Sequence, residues 1–335
     1  MKKVTMKDIS NELGISIVSV SNALSNKNGV SDEIRKKIIR TAEQLGYQHS
    51  SDKPLKEEDN NNIGIIIAER YVTNNQSFYW NLYRKLATKF SQSNHFVILE
   101  ILSVESEKEL VTPNILGGAN IKGIIVLGQV SEKYLHLLNV SGKPLLLLDF
   151  YNECSSYDTI TTDNFYSSYL ITNYLIANGH KNIAYVGNIH ATSSILDRYL
   201  GYCKSLLEHN IPINDGWLLE DRDEEGAFVA LKLPQQMPTA FFCNCDEVAY
   251  RMVNCLKADG FCVPQDISVV GFDNYIYSKI SKPPITTVKV NSDMMTTSCV
   301  ELMLKKIKYP DYAGGRTIIV GDLVFRDSVA KIKNA

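Results

Sequence analysis

The sequence lacks any apolar run long enough to enter a membrane. No segment reaches the ~20 consecutive apolar residues of a transmembrane helix, and the first residues contain no apolar core typical of a secretory signal. The charge is nearly balanced, with 35 Lys and Arg residues against 37 Asp and Glu residues and a net charge of −2. Any contact with nucleic acid must therefore be local. We expect a cytoplasmic protein with no membrane partner.

Patterns of metal ligands and disulfides are missing as well. The seven cysteines are odd in number and scattered, and none of them forms a CxxC pair. Cys243 and Cys245 are separated by one residue, but no His or Cys cluster completes a zinc set near them. We expect free thiols in a reducing compartment and no metal site.

Motifs of the common enzyme classes do not occur. The chain has no P-loop, GxSxG or HExxH motif, and no GxGxxG follows the predicted strand at Ile63. The six histidines are dispersed along the chain. The sequence therefore predicts no catalytic residues, no cofactor and no enzymatic activity.

At 335 residues the chain exceeds the ~100–200 residues of a typical single domain. Composition changes abruptly at HSSDKPLKEEDNNN, which is polar, charged and broken by Pro54. We predict a DNA-binding domain over residues 1–48, a linker over 49–62 and an effector-binding and dimerisation domain over 63–335.

Two short helices joined by a tight turn are predicted over residues 4–24. Met6, Ile9 and Leu13 recur at helical spacing, and Gly14 suits the left-handed end of a helix. Ser16 is placed to cap a second helix, in which Val20 and Leu24 face inward. The pattern fits a helix-turn-helix, with an ordinary αα-hairpin as the alternative.

A third helix is predicted after Ser31, with Asp32 and Glu33 in its favourable first turn. Its apolar residues are expected to close a three-helix core: Ile34, Ile38, Ala42 and Leu45. Its basic residues remain for solvent or phosphates: Arg35, Lys36, Lys37 and Arg40.

The predicted core does not use the small, apolar and amide side chains of the second helix. These side chains can therefore contact base edges in a major groove. Because no arginine occurs there, we expect contacts richer in A·T than in G·C edges. The candidate DNA-binding residues are Thr5, Ser16, Ile17, Val18, Ser19, Ser21, Asn22, Asn26 and, in the linker, Leu55.

From residue 63 onward, short apolar strands alternate with helices, as in parallel sheets that are covered on both faces. The pattern restarts after Asp158 and includes a helix around residues 225–231 and paired strands over 317–325. Two successive βα halves predict an α/β fold with two doubly wound lobes and a cleft between them. We place lobe 1 at about 63–160 and 290–320, and lobe 2 at about 161–289 and 321–335.

The runs TMKDISNELGIS, VSVSNAL, VSDEIRKKI and LGY resemble the DNA-binding headpiece of the LacI/GalR (lactose-repressor) family. GHKNIAYVG, RYLGYCKSL and GFCVPQDISVVGFDN are similar to its effector-binding core, whose fold is shared with periplasmic sugar-binding proteins. The resemblance implies a homodimer on double-stranded operator DNA, controlled by a small-molecule effector. The family commonly carries a hinge helix that wedges Leu into the minor groove, whereas Leu55 here is followed by acidic residues. A plain flexible tether is therefore the favoured alternative.

Ligands of such sheets bind beyond the carboxyl ends of the strands, which nominates Asp149 and Asp273. The resemblance adds Arg198 and places Cys245 where the family commonly has Asn, so that a hydrogen-bonding amide is lost. Five aromatic rings could stack on a sugar or serve in ordinary packing: Phe78, Tyr79, Trp80, Tyr275 and Tyr277. Of these, the candidate effector residues are Phe78, Trp80 and Tyr275. The carboxylates of Asp149 and Asp273 accept hydrogen bonds, and the guanidinium of Arg198 donates them. These groups suit a sugar or another hydroxyl-rich solute.

The sequence thus predicts a ligand-responsive transcriptional regulator, a repressor of a carbohydrate-utilisation operon. Two alternatives are a solute-binding receptor of the same fold and a purine-type regulator that depends on a corepressor. The predicted headpiece argues against the receptor, because an exported receptor needs a signal peptide in its place.

Overall fold

The chain divides into two units, Met1–Asn60 and Asn61–Ala335. A computed structural model describes residues 4–24, 29–45, 47, 61–72, 78–118, 120–153, 157–223 and 226–332. Two predicted DNA-binding residues, Asn26 and Leu55, lie outside the described residues.

The first unit contains three helices, α1 (Met6–Leu13), α2 (Ile17–Leu24) and α3 (Asp32–Leu45). The helix-turn-helix is confirmed, and the predicted local signals produce it. Gly14 ends α1 with a φ of +63°, and the Ser16 hydroxyl accepts from the Ser19 N–H at 3.1 Å at the start of α2. The buried core consists of Ile9, Val20, Ala23, Ile38 and Ala42.

Three expectations for α3 are wrong. Ile34 and Leu45 are 45% and 36% exposed, because the core is closed against the middle of the helix and these residues lie in its end turns. Arg35 was expected to face solvent or phosphates. Its Nη1 instead donates to the carbonyls of Asn22 and Ala23 at 3.3 and 3.1 Å, where the last turn of α2 leaves acceptors without helical partners.

The second unit contains two six-stranded sheets. The first sheet consists of β1 (Asn62–Ala68), β2 (Phe96–Leu102), β3 (Ile121–Leu127), β4 (Leu145–Leu148), β5 (Asp158–Thr162) and β11 (Arg316–Ile319). The second consists of β6 (Ile183–Val186), β7 (Leu218–Leu219), β8 (Ala240–Cys243), β9 (Ser268–Asp273), β10 (Thr286–Lys289) and β12 (Asp322–Val324). The strand orders are β11-β5-β4-β3-β1-β2 and β12-β10-β9-β8-β6-β7.

Nearly all neighbouring strands are parallel; β12 pairs antiparallel with β10. The longer helices that follow the strands of the first sheet are α4 (Phe78–Gln92) and α7 (Glu132–Asn139), with short α5 (Val104–Lys108) and α6 (Asn114–Gly118) between them. The second half of the chain adds α8 (Asn164–Ala177), α9 (Ser193–Glu208), α10 (Asp246–Ala258), α11 (Ile276–Ile280) and α12 (Ser292–Lys308). Residues 63–68 of β1 are buried without alternation, as expected for a parallel strand covered on both faces.

The chain passes between the two sheets three times, at Asp163, at residues 290–291 and at residues 320–321. We call the first sheet with its helices lobe 1 and the second sheet with its helices lobe 2. The first and third crossings are tied to each other, and the third is also tied to α8. The Asp163 N–H donates to the Ile319 carbonyl at 2.8 Å, and the Gly321 N–H donates to Ser167 Oγ at 3.3 Å.

The third crossing corrects the prediction of paired strands over 317–325. β11 ends at Ile319 and joins lobe 1, whereas β12 begins at Asp322 and joins lobe 2. The predicted helix around 225–231 is also wrong for the described residues from 226 onward. Gly226 has a φ of +87°, and Arg222 and Phe228 form an antiparallel bridge across this turn.

Candidate functional site

The face of α2 that points away from the core of the first unit carries most of the predicted DNA-reading side chains. Ile17 and Val18 are 45% and 68% exposed, whereas Val20 and Ala23 are buried. Ser16 is exposed, and Ser19, Ser21 and Asn22 are half-buried. The helix therefore presents two bare apolar side chains bordered by hydroxyl and amide groups. Such a surface can contact thymine methyl groups and base edges.

Thr5 has a local structural role beside any contact with DNA. Its N–H and its hydroxyl both donate to the carboxylate of Asp8, each at 2.7 Å, at the start of α1. The Asp8 carboxylate in the first turn of α1 thus reaches back to Thr5 and helps to fix the start of the helix. Among the described residues of the first unit, exposed positive charge lies on the other helices, at Lys7, Lys36, Lys37 and Arg40.

The second unit has a cavity of about 1010 Å³ between its lobes. Of the predicted effector residues, it brings together six: Phe78, Asp149, Arg198, Cys245, Asp273 and Tyr275. The seventh, Trp80, does not line it; the Trp80 ring packs edge-on against Tyr83 with ring centroids 5.6 Å apart. Tyr79 lines the cavity in its place, because one residue along a helix rotates a side chain by about 100°.

Asp149 follows the last residue of β4 and has a φ of +72°. Its carboxylate is buried and accepts a hydrogen bond from the Tyr79 hydroxyl at 3.0 Å. Burial raises the pKa of Asp149 to about 6, against the lowering effect of the Arg198 guanidinium. Asp149 thus offers the cavity an acceptor whose charge changes close to neutral pH.

Asp273 ends β9 on the opposite side of the cavity and has a φ of +103°. Burial raises its pKa to about 7, and Asp149 adds to the rise while Arg198 opposes it. The Arg198 guanidinium lies 3.6 Å from the Asp273 carboxylate. Two carboxyl groups from different lobes therefore share the field of one arginine.

Arg198 lies in α9 and is held on several sides. Its Nε donates to Asn164 Oδ1 at 2.8 Å, and its Nη1 donates to the Asn244 carbonyl at 2.6 Å. The guanidinium stacks over the Phe272 ring with its central carbon 3.9 Å from the ring centroid. Only 6% of Arg198 is exposed, so its orientation is fixed before any ligand enters.

The sequence gives no periodic or motif signal for a second arginine of the cavity, Arg222. Its Nε and Nη2 donate to Asp221 Oδ2 at 3.0 and 2.7 Å. Asp221 is fully buried and also accepts from the side-chain amide of Asn244 at 2.8 Å and from the backbone N–H of Asn188. A third cavity arginine, Arg70, was likewise not predicted.

Cys245 lies at the start of α10 and is half-buried at the cavity wall. Burial raises the pKa of the thiol to about 12, so the group is a neutral, weakly polar wall rather than a nucleophile. The Tyr275 N–H donates to the buried carboxylate of Asp246 at 2.6 Å, which places the Tyr275 ring at the cavity.

The N-terminal end of α9 touches lobe 1 directly. The Ser194 hydroxyl donates to the Asp149 carbonyl at 3.0 Å, and the Ser193 N–H donates to Gln129 Oε1 at 2.7 Å. Further along, Asp197 accepts from the Tyr151 hydroxyl at 2.7 Å. The helix that carries Arg198 therefore also carries contacts between the lobes.

Within the described ranges, His, Cys, Asp and Glu side chains form no group of three placed to hold a metal ion. Over the same residues, no helix combines the length and the apolar character needed to cross a membrane.

Two family models match the chain. The model of bacterial regulatory proteins, lacI family, matches residues 5–50, and that of the periplasmic binding protein-like domain matches residues 172–329. The HTH-type transcriptional repressor PurR of Actinobacillus pleuropneumoniae serotype 3 is 27% identical over 311 residues, which are 91% of each chain. The Probable HTH-type transcriptional repressor ExuR of Bacillus subtilis is 27% identical over 337 residues, 98% of this chain and 99% of the relative.

Solved structures share the fold over almost the full length. The complex of the transcriptional regulator CelR with cellobiose has a TM-score of 0.69 at 19% identity and covers 97% of this chain and 100% of its own. The lac repressor dimer bound to operator and the anti-inducer ONPF has a TM-score of 0.68 at 21% identity, with 98% and 100% covered.

Proposed function

We infer that the chain belongs to the LacI family of bacterial regulatory proteins and is a ligand-responsive, DNA-binding transcriptional regulator. From this premise, we propose that it represses a carbohydrate-utilisation operon. In this proposal the protein works in the cytoplasm as a homodimer on a pseudo-palindromic operator, and a sugar or sugar derivative in the cavity between the lobes controls it.

The observation that carries the proposal is the exposed face of α2 within the segment that matches the lacI model. Ile17 and Val18 are apolar side chains that the three-helix core does not need, since Val20 and Ala23 fill it. Exposed apolar residues next to amide and hydroxyl groups are suited to thymine methyl groups and adenine edges. We propose Thr5, Ser16, Ser19, Ser21 and Asn22 as further contacts on this surface.

Dimerisation supplies the affinity that one headpiece lacks. A single first unit is only mildly basic, and phosphate contacts dominate the affinity of proteins for DNA. Two α2 helices placed about one helical turn (~34 Å) apart would double the contacts and require a site with two-fold symmetry.

The cavity supplies the control. A ligand that bridges Asp149 in lobe 1 and Arg198 and Asp273 in lobe 2 stabilises one relative orientation of the lobes. Binding then shifts the population between lobe orientations that differ in DNA affinity. The hydroxyls of a sugar match these groups, because carboxylates accept and a guanidinium donates hydrogen bonds.

Selection of binding sites from a random duplex library tests the DNA-binding part. We expect the purified full chain to select a palindrome rich in A·T edges, with affinity that falls steeply as salt rises. Val18→Asp should abolish selection. Val140→Asp is the matched control, since Val140 is 77% exposed but lies in lobe 1. A chain that prefers no duplex would overturn the proposal, and an invariant G at the position facing Asn22 would overturn the A·T preference.

A thermal-shift screen tests the effector part, because a ligand that binds the folded state raises its apparent stability by mass action. Sugars, sugar phosphates and purine bases are the probes, and any hit is then added to the operator-binding assay. We expect a sugar both to raise the unfolding temperature and to change operator affinity. A purine base as the sole hit would favour a corepressor-dependent regulator of the purine type.

A further inference from the structure

Five cationic side chains line the cavity between the lobes: the arginines Arg70, Arg198 and Arg222, and the exposed lysines Lys108 and Lys133. Arginine is the side chain that most readily recognises the phosphate or carboxylate group of a ligand, through a planar fork of donors. Whether these arginines can do so depends on what they already bind.

Each of the three is already paired with a carboxylate of the protein. Arg70 Nη1 donates to Glu107 Oε2 at 2.6 Å, and Nη2 donates to the Gln129 carbonyl at 2.5 Å. Glu107 is buried and also accepts from the Ser131 N–H at 2.6 Å. This ion pair is therefore built into the wall of lobe 1.

Arg222 is bound in the same way on the lobe 2 side. Two of its nitrogens donate to one oxygen of the fully buried Asp221, and Nη2 also lies 3.4 Å from Asn244 Oδ1. Moving Arg222 onto a ligand would leave Asp221 buried without its cation, which costs several kilocalories per mole in general.

Arg198 is also occupied, and it faces carboxylates. Its Nε and Nη1 are used by Asn164 and Asn244, and its Nη2 lies 3.6 Å from Asp273. Across the cavity Asp149 has the Tyr79 hydroxyl as a donor, and within the described chain no ion pair involves its carboxylate. An anionic ligand group would meet like charge from both lobes.

We infer that the effector is an uncharged, hydroxyl-rich molecule, and that the cavity rejects forms that carry a phosphate or carboxylate group between Asp149 and Asp273. The inference rests on the proposed function, in which this cavity is the effector site. Ligand hydroxyls donate to Asp149 and Asp273, while the aromatic rings of Phe78, Tyr79 and Tyr275 cover the apolar face of a sugar ring. The guanidinium groups in turn disfavour a cationic ligand.

Isothermal titration with matched probes tests the inference on the full chain at pH 8, where both carboxyl groups are largely ionised. The neutral probes are glucose, galactose, ribose and cellobiose, and their anionic partners are glucose 6-phosphate, glucuronate, galacturonate and ribose 5-phosphate. We expect at least one neutral probe to bind and its anionic partner to bind at least about tenfold more weakly. Tighter binding of an anionic partner, or no binding of any neutral probe at millimolar concentration, overturns the inference.

Asp149→Asn examines the cause. The isosteric amide keeps the shape but removes the charge, so we expect weaker binding of the neutral probe and a smaller gap to its anionic partner. Asp273→Asn should act in the same direction if Asp149→Asn does not fold. Asp293→Asn is the matched control, because this carboxylate is 74% exposed and pairs with Lys85 outside the cavity. An unchanged gap in both cavity variants overturns the inference.

The result separates this inference from the proposed function. If an anionic probe binds and changes the affinity of the protein for its selected duplex, the regulator is intact and only the charge class of its effector is wrong. If no probe of either class changes the affinity for DNA, the assignment of the cavity as the effector site fails with it.

Discussion

Removal of the Arg198 side chain should destabilise the second unit in a way that depends on pH. Arg198→Ala deletes the donors to Asn164 and Asn244 and the cation beside Asp273. Leaving one member of a buried ion pair unpartnered costs about 3–5 kcal/mol of unfolding free energy. We expect a loss of this size at pH 8, together with loss of any response to effector and unchanged affinity for operator DNA under conditions where the variant is folded.

The pH dependence follows from the pKa of Asp273, which burial raises to about 7 against an ordinary value of 3.8. Because the folded state binds this proton more tightly than the unfolded state does, stability falls as pH rises from about 4 to 7. Without Arg198 the pKa rises further, and the fall continues to higher pH. Each further unit by which the pKa of Asp273 rises lowers the unfolding free energy of the variant by up to about 1.4 kcal/mol above pH 7 and by almost nothing at pH 5.

Urea unfolding at pH 5 and pH 8 measures both quantities. The two tryptophans, Trp80 and Trp217, lie in the second unit, so their fluorescence reports on that unit. Arg251→Ala is the control, because Arg251 is a half-buried lobe 2 arginine that donates to the Val229 carbonyl and does not line the cavity. A loss below about 1 kcal/mol for Arg198→Ala, or the same loss at both pH values, would refute the reasoning.

Three further outcomes are expected. Asn22→Ala should relax base preference at one operator position by ~1–3 kcal/mol in competition binding, and an unchanged specificity profile would exclude Asn22 as a reader. Gly201→Ala should lower the unfolding free energy by about 1–3 kcal/mol, because the new methyl group would lie 2.1 Å from the Phe165 carbonyl oxygen. Gly117→Ala is the control, because a methyl group there would have no atom within 4 Å. Equal stabilities of the two variants would contradict the close packing at Gly201. A neutral polyol should bind more tightly as pH rises through about 6 to 7, since deprotonated Asp149 and Asp273 accept its hydroxyls, and calorimetry showing tighter binding at pH 5 would contradict this.

The parts of the fold that were predictable are those in which one local pattern decides the structure. Periodicity and flanking residues predict helices over residues 78–92 and 246–258, and the structure has helices at Phe78–Gln92 and Asp246–Ala258. The strand Asp158–Thr162 was missed because DTITT is polar by composition. Its threonines are buried by neighbouring strands and helices, which no local pattern reveals.

The candidate site divides in the same way. Asp149 and Asp273 were found because the ends of parallel strands gather at one edge of a sheet, a rule that needs only the strand positions. Arg222 comes three residues after β7, an edge strand of only two residues, and its place in the cavity depends on hydrogen bonds that Asp221 makes with Arg222 and with Asn244, which is far from it in sequence. Tyr79 lines the cavity and Trp80 does not, because the rotational phase of α4 is set by the burial of Leu82, Leu86 and Phe90.

The three crossings between the lobes limit how the second unit can move. Two bodies joined by a single strand can twist and slide in many directions, whereas three neighbouring connections leave mainly one soft degree of freedom, a rotation about an axis through them. The hydrogen bonds from Asp163 to Ile319 and from Gly321 to Ser167 hold the first and third of these connections. A substitution there would change the resting balance between open and closed lobes, and so the effector concentration at which regulation responds, without altering a single atom that touches effector or DNA.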